Sequence, residues 1–292
     1  MSAAQTPVHE IRPRRVGFDW ERTPLQWIPG EPVTSHVINV LHLLFPAGER
    51  WFVHVYKQAL PLIEDEQLRA DVKGFMGQEA VHSRAHAAVL DHLRANGLDP
   101  DPFARRIEWM FGTLLGDKPP LPLISQRRWL LERVAVIAAI EHFTAVLGAW
   151  IIDSPGLDRA GADPTMLDLL RWHGAEEVEH RSVAFDVFRA VSGNWISRIY
   201  TMLISSAMLA WLLRRGTRFL CTADPTYVGP APKLSDYGRA AKKGLLPPPG
   251  MLALVVPRYF RRAYHPSQEA STQDALDYLA TSPAALAAQR AA

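Results

Sequence analysis

Three side chains able to bind a metal are spaced so that they would share one face of a helix. They are His173, Glu177 and His180, at positions i, i+4 and i+7, and a helix turns by about 100° per residue. The apolar residues Leu169 and Val187 continue the same stripe, which therefore points towards a core. Burying imidazole and carboxylate groups without partners is unfavourable, and a bound cation compensates several of them at once. The pattern predicts a buried metal site.

A second segment has a related spacing. Glu79, His82 and His86 stand at i, i+3 and i+7, and Phe75 and Leu93 extend their face with apolar residues. The chain therefore contains two Glu-x-x-His units on two predicted helices. Each unit lies in the middle of its helix on the apolar face, where a carboxylate without a partner is normally excluded.

Two more glutamates complete a ligand set. Glu49 follows Pro46 and Gly48 in the first turn of a helical segment, and Glu141 is the charged member of a stripe of small and apolar residues. One Glu from each of two helices, with Glu-x-x-His from each of two others, is the set found in di-iron and di-manganese carboxylate bundles. The predicted inventory is Glu49, Glu79, His82, Glu141, Glu177 and His180, whose four glutamates would also be the catalytic residues.

Two histidines exceed this inventory. His173 is one turn before Glu177 and His86 is one turn after His82, so both remain on the predicted metal-facing stripes. Each could be an additional ligand, a hydrogen-bonding partner of a ligand or a buried core histidine. Helical phase alone places both in the predicted metal-binding set. Glu176 is 60° off the stripe and is expected to support the ligands from behind.

Each candidate ligand, taken singly, also has an explanation that involves no metal. Taken alone, Glu79 and His82 are typical of an ion pair on a helix surface, and Glu49 of an acidic first turn. His142 lies 100° from Glu141 and is expected to face elsewhere. Only the joint contribution of four helices favours metal binding.

The elements that must position these residues are helices. Hydrophobic periodicity and Pro, Gly and capping signals predict a bent or interrupted helix over 35–60 and further helices over 64–96, 103–115, 125–152, 164–191 and 195–220. The predicted fold class is all-α, a ferritin-like four-helix bundle with an added N-terminal arm and C-terminal helices. The predicted divisions are an arm over 1–33 without chemistry of its own, a metal-binding bundle over 34–220 and a helical extension over 221–292.

Composition excludes several classes of function. The 292 residues are 48% hydrophobic and 21% charged, which suits one large domain or a domain with an extension. A net charge of +2 provides no field to recruit nucleic acid, and no nucleic-acid partner is expected. The single Cys221 excludes an internal disulfide, and Met1 to Arg15 does not resemble a secretory signal, so a cytoplasmic protein is expected.

The predicted helix over 195–220 contains a long uncharged stretch. Between Arg198 and Arg214 it carries no charge, which is typical of a helix buried against the bundle but also of an in-plane membrane contact or a partner-facing helix. The basic aromatic run from Arg258 to Arg262 is either a solvated face or a contact for anionic lipid. Peripheral membrane association through 195–220 and 258–262, and a homodimer, are therefore further expectations.

The ligand motifs resemble a known family. The segments are Phe45–Glu49, Gly77–His82, Glu141–Thr144, Trp172–His180 and Val183–Val187. They look like the bacterial family described as predicted metal-dependent hydrolases, over about residues 30 to 265. The spacing of His173, Glu177 and His180 is also similar to ferritin-like di-iron N-oxygenases that convert arylamines to nitro compounds. That similarity implies iron ligation by His173, and His86 departs from that pattern.

The leading hypothesis is a non-haem di-iron oxidase or oxygenase. It would use two Fe ions, with Mn or mixed Mn/Fe as the alternative, and take O₂, a small apolar or aromatic organic substrate and an electron donor. Imidazole and carboxylate ligands suit both iron and manganese. The first alternative is a binuclear hydrolase of an ester or amide, although four carboxylates lower the Lewis acidity of a metal pair. The second is a metal-binding, ferroxidase-like protein, although the fifth helix and the tail exceed a minimal storage bundle.

Overall fold

Four long helices carry the predicted ligands. In the computed structural model, which describes residues 10–291, they are α1 (Pro32–Ala59), α2 (Glu66–Ala95), α4 (Gln126–Ile152) and α6 (Pro164–His180). The other α-helices are α3 (Asp101–Trp109), α5 (Pro155–Arg159), α7 (Val183–Val191), α8 (Trp195–Ala223), α9 (Leu234–Lys242), α10 (Pro249–Tyr259), α11 (Thr272–Leu279) and α12 (Pro283–Arg290). Residues 10–291 contain no strand, and the predicted all-α bundle class is confirmed.

The helices pack in two pairs that close around one core. Helix α1 packs along α2, and α4 packs along α6, while contacts of α1 with α4 and of α2 with α6 join the pairs. Helix α8 lies across the outside of α1 and α4. The ligand-bearing faces of α1, α2, α4 and α6 therefore point into the same interior.

Local side-chain chemistry sets the helix boundaries. The side chains of Asp65, Ser125 and Asp163 each accept a hydrogen bond from a backbone N–H in the first turn of α2, α4 and α6. Gly97, with a φ of 82°, follows the end of α2. The predicted starts near 64, 125 and 164 and the predicted end of α2 are confirmed.

Two predicted boundaries are wrong. Helix α1 runs through Pro46 without interruption, so the predicted interruption is wrong, and the alternative of a bend stays a prediction. Packing on α2 and α8 stabilises α1 and offsets the missing N–H of the proline. The helix predicted over 164–191 is two helices, α6 and α7, with a break directly after His180. There the Arg181 guanidinium donates a hydrogen bond to the Val178 carbonyl, which would otherwise accept from the next turn.

The chain outside the four helices packs on them. The first nine residues of the arm predicted over 1–33 lie outside the described residues, and residues 10–31 form no helix. At the other end, the buried Asp168 of α6 accepts hydrogen bonds from Tyr278, Ser282 and the backbone of Ala284. One hydrophobic core runs from Leu25 to Ala285. The division at residue 220 stays a prediction.

Two helices, α4 and α8, are long and apolar enough to cross a membrane by length and composition. In α4, 61% of the most apolar 18-residue window is buried, as in the core helix of a bundle. In α8 the same fraction is 28%, so much of its apolar surface faces outwards.

A glycine contact brings α4 and α6 together. A Cβ on Gly148 would lie 2.4 Å from the carbonyl oxygen of Gly174, and a Cβ on Gly174 would lie 2.9 Å from the Cα of Gly148. No side chain fits between the two backbones. Gly148 is two turns from Glu141, and Gly174 is one turn from Glu177, so the contact holds these glutamates at a fixed separation.

We expect Gly148→Ala to lower the free energy of unfolding by about 1–3 kcal/mol, because the added methyl group must push two backbones apart. Urea denaturation followed by circular dichroism would measure the loss. Gly238→Ala in α9 is the matched control, since no atom lies within 4 Å of its added Cβ. That variant should be neutral or more stable by about 0.5–1 kcal/mol. Equal stability of both variants would contradict the tight contact.

Candidate metal centre

Seven of the eight predicted ligands form two adjoining groups in the interior. One group contains Glu49, His82 and His173, and the other contains Glu79, Glu141, Glu177 and His180. Within each group the ligand atoms all lie within 4.8 Å of one another, and every member is buried. Helices α1, α2, α4 and α6 all contribute. That these residues ligate a metal stays a prediction, but the structure brings their donor atoms together.

Two glutamates lie between the groups. One carboxylate oxygen of Glu177 is 2.7 Å from Nε2 of His173, and the other is 3.4 Å from Nε2 of His180. Oε1 of Glu79 is 3.5 Å from Nδ1 of His82 and 3.4 Å from Nε2 of His180. Each of these carboxylates therefore faces both groups, which is the arrangement that lets one carboxylate bridge two cations.

The other two glutamates occupy terminal positions. Oε1 of Glu49 is 3.7 Å from Nε2 of His173, at the outer side of the first group. Oε2 of Glu141 is 3.3 Å from Nε2 of His180, in the second group. Each group thus has one glutamate of its own and two shared with its neighbour.

The donor atoms fit a pair of cations because they lack other partners. Among the described residues, 18 buried polar side-chain atoms have no hydrogen-bond partner, and nine of them belong to six residues of the two groups. These residues are Glu49, Glu79, His82, Glu141, Glu177 and His180, which is the six-ligand inventory predicted from the sequence. Buried polar atoms are nearly always paired, so a concentration of unpaired oxygens and ring nitrogens indicates a site that cations complete.

Electrostatics inside the centre favour cation binding. Burial, and then repulsion from neighbouring carboxylates, raises the pKa of Glu49 and of Glu141 well above the usual range. Burial opposes ionisation of Glu177 too, but His180 and His173 hold its pKa well below the usual range. The four buried carboxylates therefore cannot all be ionised together unless positive charge is present nearby. Divalent cations would supply that charge by replacing protons.

Two residues hold the outer ring nitrogens of the histidines. Nε2 of His82 is 2.8 Å from a carboxylate oxygen of Glu176, so Glu176 supports a ligand from behind, as its helical phase predicts. Nδ1 of His180 is 2.9 Å from the side-chain oxygen of Gln78. A hydrogen bond on the far nitrogen fixes the tautomer and the ring orientation of a metal-binding histidine. In both rings the nitrogen without a hydrogen-bond partner is the one facing the groups.

An arginine of the N-terminal arm closes this side of the centre. The Arg14 guanidinium donates to Glu176 at 2.8 Å and to both carboxylate oxygens of Glu179 at 2.8 and 2.9 Å. Gln78 also donates to Glu179. The expectation that the arm has no chemistry of its own is therefore corrected, because Arg14 neutralises the carboxylate that orients His82.

His86 lies outside both groups. Its Nε2 is 2.5 Å from Nδ1 of His173, and its Nδ1 is 2.7 Å from Nδ1 of His42. Both ring nitrogens thus face other histidines, so the geometry favours a supporting position behind His173 over ligation. Helical phase predicts which way the His86 side chain points. It does not predict whether a residue one turn beyond His82 still reaches the donor groups.

A pocket of about 400 Å³ reaches the centre, and its lining contains neither Arg14 nor Glu176. Its walls are apolar side chains of α1, α4, α6, α8 and α10, such as Leu41, Leu147, Leu170, Leu209 and Val256. His173 and Glu177 form part of its lining. The ring of Phe45, another lining residue, lies 4.8 Å from the His173 ring between centroids. The pocket can therefore bring an apolar molecule up to the first group.

Sequence reasoning missed four residues at the centre. Gln78 and Arg14 support ligands, His42 extends the row behind His173, and Tyr56 is buried with its hydroxyl lacking a hydrogen-bond partner among the described residues. Burial and the charges of Glu141 and Glu79 raise the pKa of Tyr56 well above its usual range. Tyr56 lies at i+7 from Glu49, so helical phase places it on the same face but assigns it no role. Arg14 stands in an irregular segment, where no periodicity gives a direction.

Comparison with protein families gives one match. Residues 12–270 match the model of a family described as "Predicted metal-dependent hydrolase". The comparisons with curated proteins and with solved structures gave no match. The match spans most of the chain and covers every member of the two groups.

The two groups of donors should each bind one metal ion. We expect two divalent metal ions per chain, measured by elemental analysis after dialysis. Glu141→Ala should retain about one, because Glu141 serves one group, whereas Glu177→Ala should lose most of both, because its two oxygens serve both groups. The exposed Glu21→Ala is the control and should retain both. An equal, partial loss in the two centre variants would contradict the bridging position of Glu177.

The thermal stability of the metal-free protein should depend on pH. In the metal-free protein, carboxylate contacts outweigh burial and raise the pKa of His82 and His180, and burial raises the pKa of Glu49 and Glu141, so the folded chain holds protons that the unfolded chain releases. Buried histidines whose pKa is lowered, such as His42 and His173, act in the opposite direction until the unfolded histidines have lost their protons. Unfolding therefore becomes easier as pH rises above about 7.5, one unit over the ordinary histidine value. Thermal melts from pH 7.5 to about 9 should show a falling Tm for metal-free protein and a weaker fall after metal loading. A rising Tm in the metal-free protein would contradict this electrostatic account.

Proposed function

The chain belongs to the family described as predicted metal-dependent hydrolases, and on that premise we propose that it is a dinuclear metal enzyme that oxidises a small apolar or aromatic substrate with O₂. The observation that carries the proposal is the donor set. Four carboxylates and three histidines meet in one buried volume, and two of the carboxylates face both halves. Oxygen-rich donors with imidazole suit iron and manganese, and two bridging carboxylates suit a pair of such ions.

When bound, a pair of Fe(II) ions would supply two electrons for the reduction of O₂ and the substrate two more, and an external electron donor would then return two electrons to the metal pair. The residues of this chain have separate tasks in that reaction. Glu79 and Glu177 hold the two halves of the centre together, while Glu49 and Glu141 set the charge at its ends. Mn, alone or with Fe, is the alternative occupant of the same donors.

The pocket supports an apolar substrate. Apart from Glu177 and His173, its lining contains no charged or histidine side chain. The hydroxyls of its Thr144 and Ser206 donate to carbonyls of their own helices. Such a wall offers burial of apolar surface and few directed polar contacts, so that shape and apolar area select the substrate. It also limits the water that reaches the centre from this side.

The polar network around Arg14 provides rigidity. Glu176 and Gln78 fix the rings of His82 and His180, and Arg14 neutralises Glu176. The pocket meets the centre at His173 and Glu177, away from this network. The substrate therefore approaches the first group, while the polar network keeps the ligand rings in place.

A metal-dependent hydrolase is the second candidate, and the family description favours it. In that reaction a metal pair polarises an ester or amide carbonyl and activates a water molecule. The same residues would hold the metals, and the same pocket would take an apolar acyl group. The donor set favours oxidation instead, because four carboxylates neutralise two divalent cations and weaken their pull on a carbonyl.

An O₂ pulse separates the two candidates. We expect the protein loaded anaerobically with Fe(II) to consume O₂ faster than the same Fe(II) in buffer and to develop the near-ultraviolet absorption of Fe(III). Glu177→Ala, which should not hold the pair, is the matched control and should behave like free Fe(II). Oxygen uptake and absorbance would be recorded together in a stopped-flow cell.

The hydrolase assay is run without O₂. Protein loaded with Zn(II) or Mn(II) is incubated under argon with nitrophenyl esters and anilides of increasing acyl length. Hydrolysis above that of Glu177→Ala, with no accelerated O₂ uptake by the Fe(II) form, would overturn the oxidase proposal in favour of the hydrolase. Uptake of many iron ions per chain as a mineral would instead identify a ferroxidase-like storage protein.

A further inference from the structure

The outer face of α8 is an unusually apolar surface. Ile196, Leu203, Ile204 and Trp211 are 69, 50, 59 and 55% exposed. At 100° per residue they fall within an arc of about 100° along four turns of the helix. Exposed apolar residues are common singly, but a continuous row of this length marks a site of interaction.

Helix α8 lies along the bundle rather than away from it. Its opposite face, with Met202, Leu212 and Leu220, is buried, and the helix packs on both α1 and α4. A helix held lengthwise on a folded bundle is suited to lie in the plane of a surface, with one face inwards and one face outwards.

Helix α10 extends the same surface. Leu252 and Leu254 are 37 and 55% exposed. Ala210 of α8, with Pro249 and Leu252 of α10, is both exposed and part of the lining of the apolar pocket. The mouth of the pocket therefore lies between the two helices, on the exposed apolar surface.

Positive charge surrounds this surface. Residues 195–223 and 249–262 contain seven arginines and no acidic residue, whereas the whole chain has a net charge of only +2. Five of these arginines are exposed, namely Arg214, Arg215, Arg218, Arg261 and Arg262. The guanidinium of Arg262 lies 4.7 Å from the ring of Trp195, and that of Arg215 lies 5.8 Å from the ring of Trp211. Each end of the row on α8 thus carries a tryptophan with an arginine over it.

We propose that this surface, the α8–α10 face, binds an anionic lipid bilayer. The face consists of Trp195, Ile196, Leu203, Ile204, Trp211, Leu252 and Leu254 with the five exposed arginines. Its apolar side chains would enter the boundary of the acyl chains, its tryptophans would lie at the level of the headgroups, and its arginines would meet lipid phosphates.

Charge argues against a second copy of the chain as the occupant. In a two-fold symmetric contact the face would meet itself. The arginines at each end of one α8 would then face arginines of the other, with no acidic residue on the face to pair them. Like charges brought together in this way oppose association, whereas phosphate groups of a bilayer complement every arginine.

Membrane binding would also deliver a substrate. The pocket mouth would open towards the acyl chains, so that an apolar molecule dissolved in the bilayer could reach His173 and Glu177 without crossing water. This consequence rests on the proposed function, whereas bilayer binding itself does not.

Vesicle flotation with the full-length protein tests the proposal. The probes are vesicles of phosphatidylcholine alone and of equal parts phosphatidylcholine and phosphatidylglycerol. We expect binding to the anionic vesicles, and weaker binding to them at high salt. Ile204→Asp should weaken that binding at least tenfold, because the apolar side chain no longer enters the acyl-chain boundary and a negative charge faces the lipid phosphates. Leu123→Asp is the matched control, since Leu123 is 98% exposed and belongs to neither α8 nor α10.

A variant with fewer arginines separates the electrostatic contribution to vesicle binding from the apolar one. Replacing Arg214 and Arg215 by Gln should reduce binding to anionic vesicles several-fold, with little effect on the weak binding to phosphatidylcholine. Circular dichroism and metal content, which all variants should retain, show that folding is intact. Neither flotation nor these controls requires enzymatic activity, so a failure of the oxidase proposal leaves this test unaffected.

Two results would overturn the proposal. One is equal flotation of wild type, Ile204→Asp and Leu123→Asp, including the absence of flotation in all three. The other is a dimer, measured by sedimentation velocity, that Ile204→Asp dissociates and that does not bind anionic vesicles. The second result would assign the α8–α10 face to a second copy of the chain.

Discussion

Four glutamates share one buried volume, and this constraint organises the protein. Removing an ionised carboxylate from water costs several kcal/mol even in a relaxed protein interior, and neighbouring carboxylates add repulsion. Glu49, Glu79, Glu141 and Glu177 are all almost fully buried, and seven of their eight oxygens have no hydrogen-bond partner among the described residues. Cations are the compensation that the histidines and carboxylates around them are arranged to receive. The rest of the chain keeps these donors close enough to share them.

The surroundings of the centre divide into a polar side and an apolar side. On the polar side, charge compensation extends outwards from His82 through Glu176 to Arg14 in a continuous set of hydrogen bonds. On the apolar side, the pocket meets the centre at His173 and Glu177. One side therefore holds the ligand rings rigidly, and the other admits a molecule. This asymmetry supports an enzyme more than a storage site, for which an apolar pocket has no evident use.

Much of the fold and the centre follows from the sequence because period and spacing carry direction. The two Glu-x-x-His units and the inward stripe of Glu141 indicate which side chains meet, since helical phase is rigid. What sequence reasoning missed depends on distance or on contacts far apart in the chain. His86 has the predicted phase, but its ring lies beyond the two groups, and its ligation stays a prediction. Arg14 is 162 residues from Glu176 and lies in a segment without periodicity. The break after His180 depends on a side chain that bonds to its own helix.

The contact between Gly148 and Gly174 makes the spacing of α4 and α6 independent of the side chains that line the pocket. It is a contact of backbones, so the spacing of α4 and α6 at the centre does not depend on the size of the side chains that line the pocket. Leu147, Leu209 and Val256 can change in an evolving lineage, or in a laboratory library, without altering how far Glu141 stands from Glu177. On the proposed function, the side chains that select the substrate can therefore vary while the donor set of the centre stays the same.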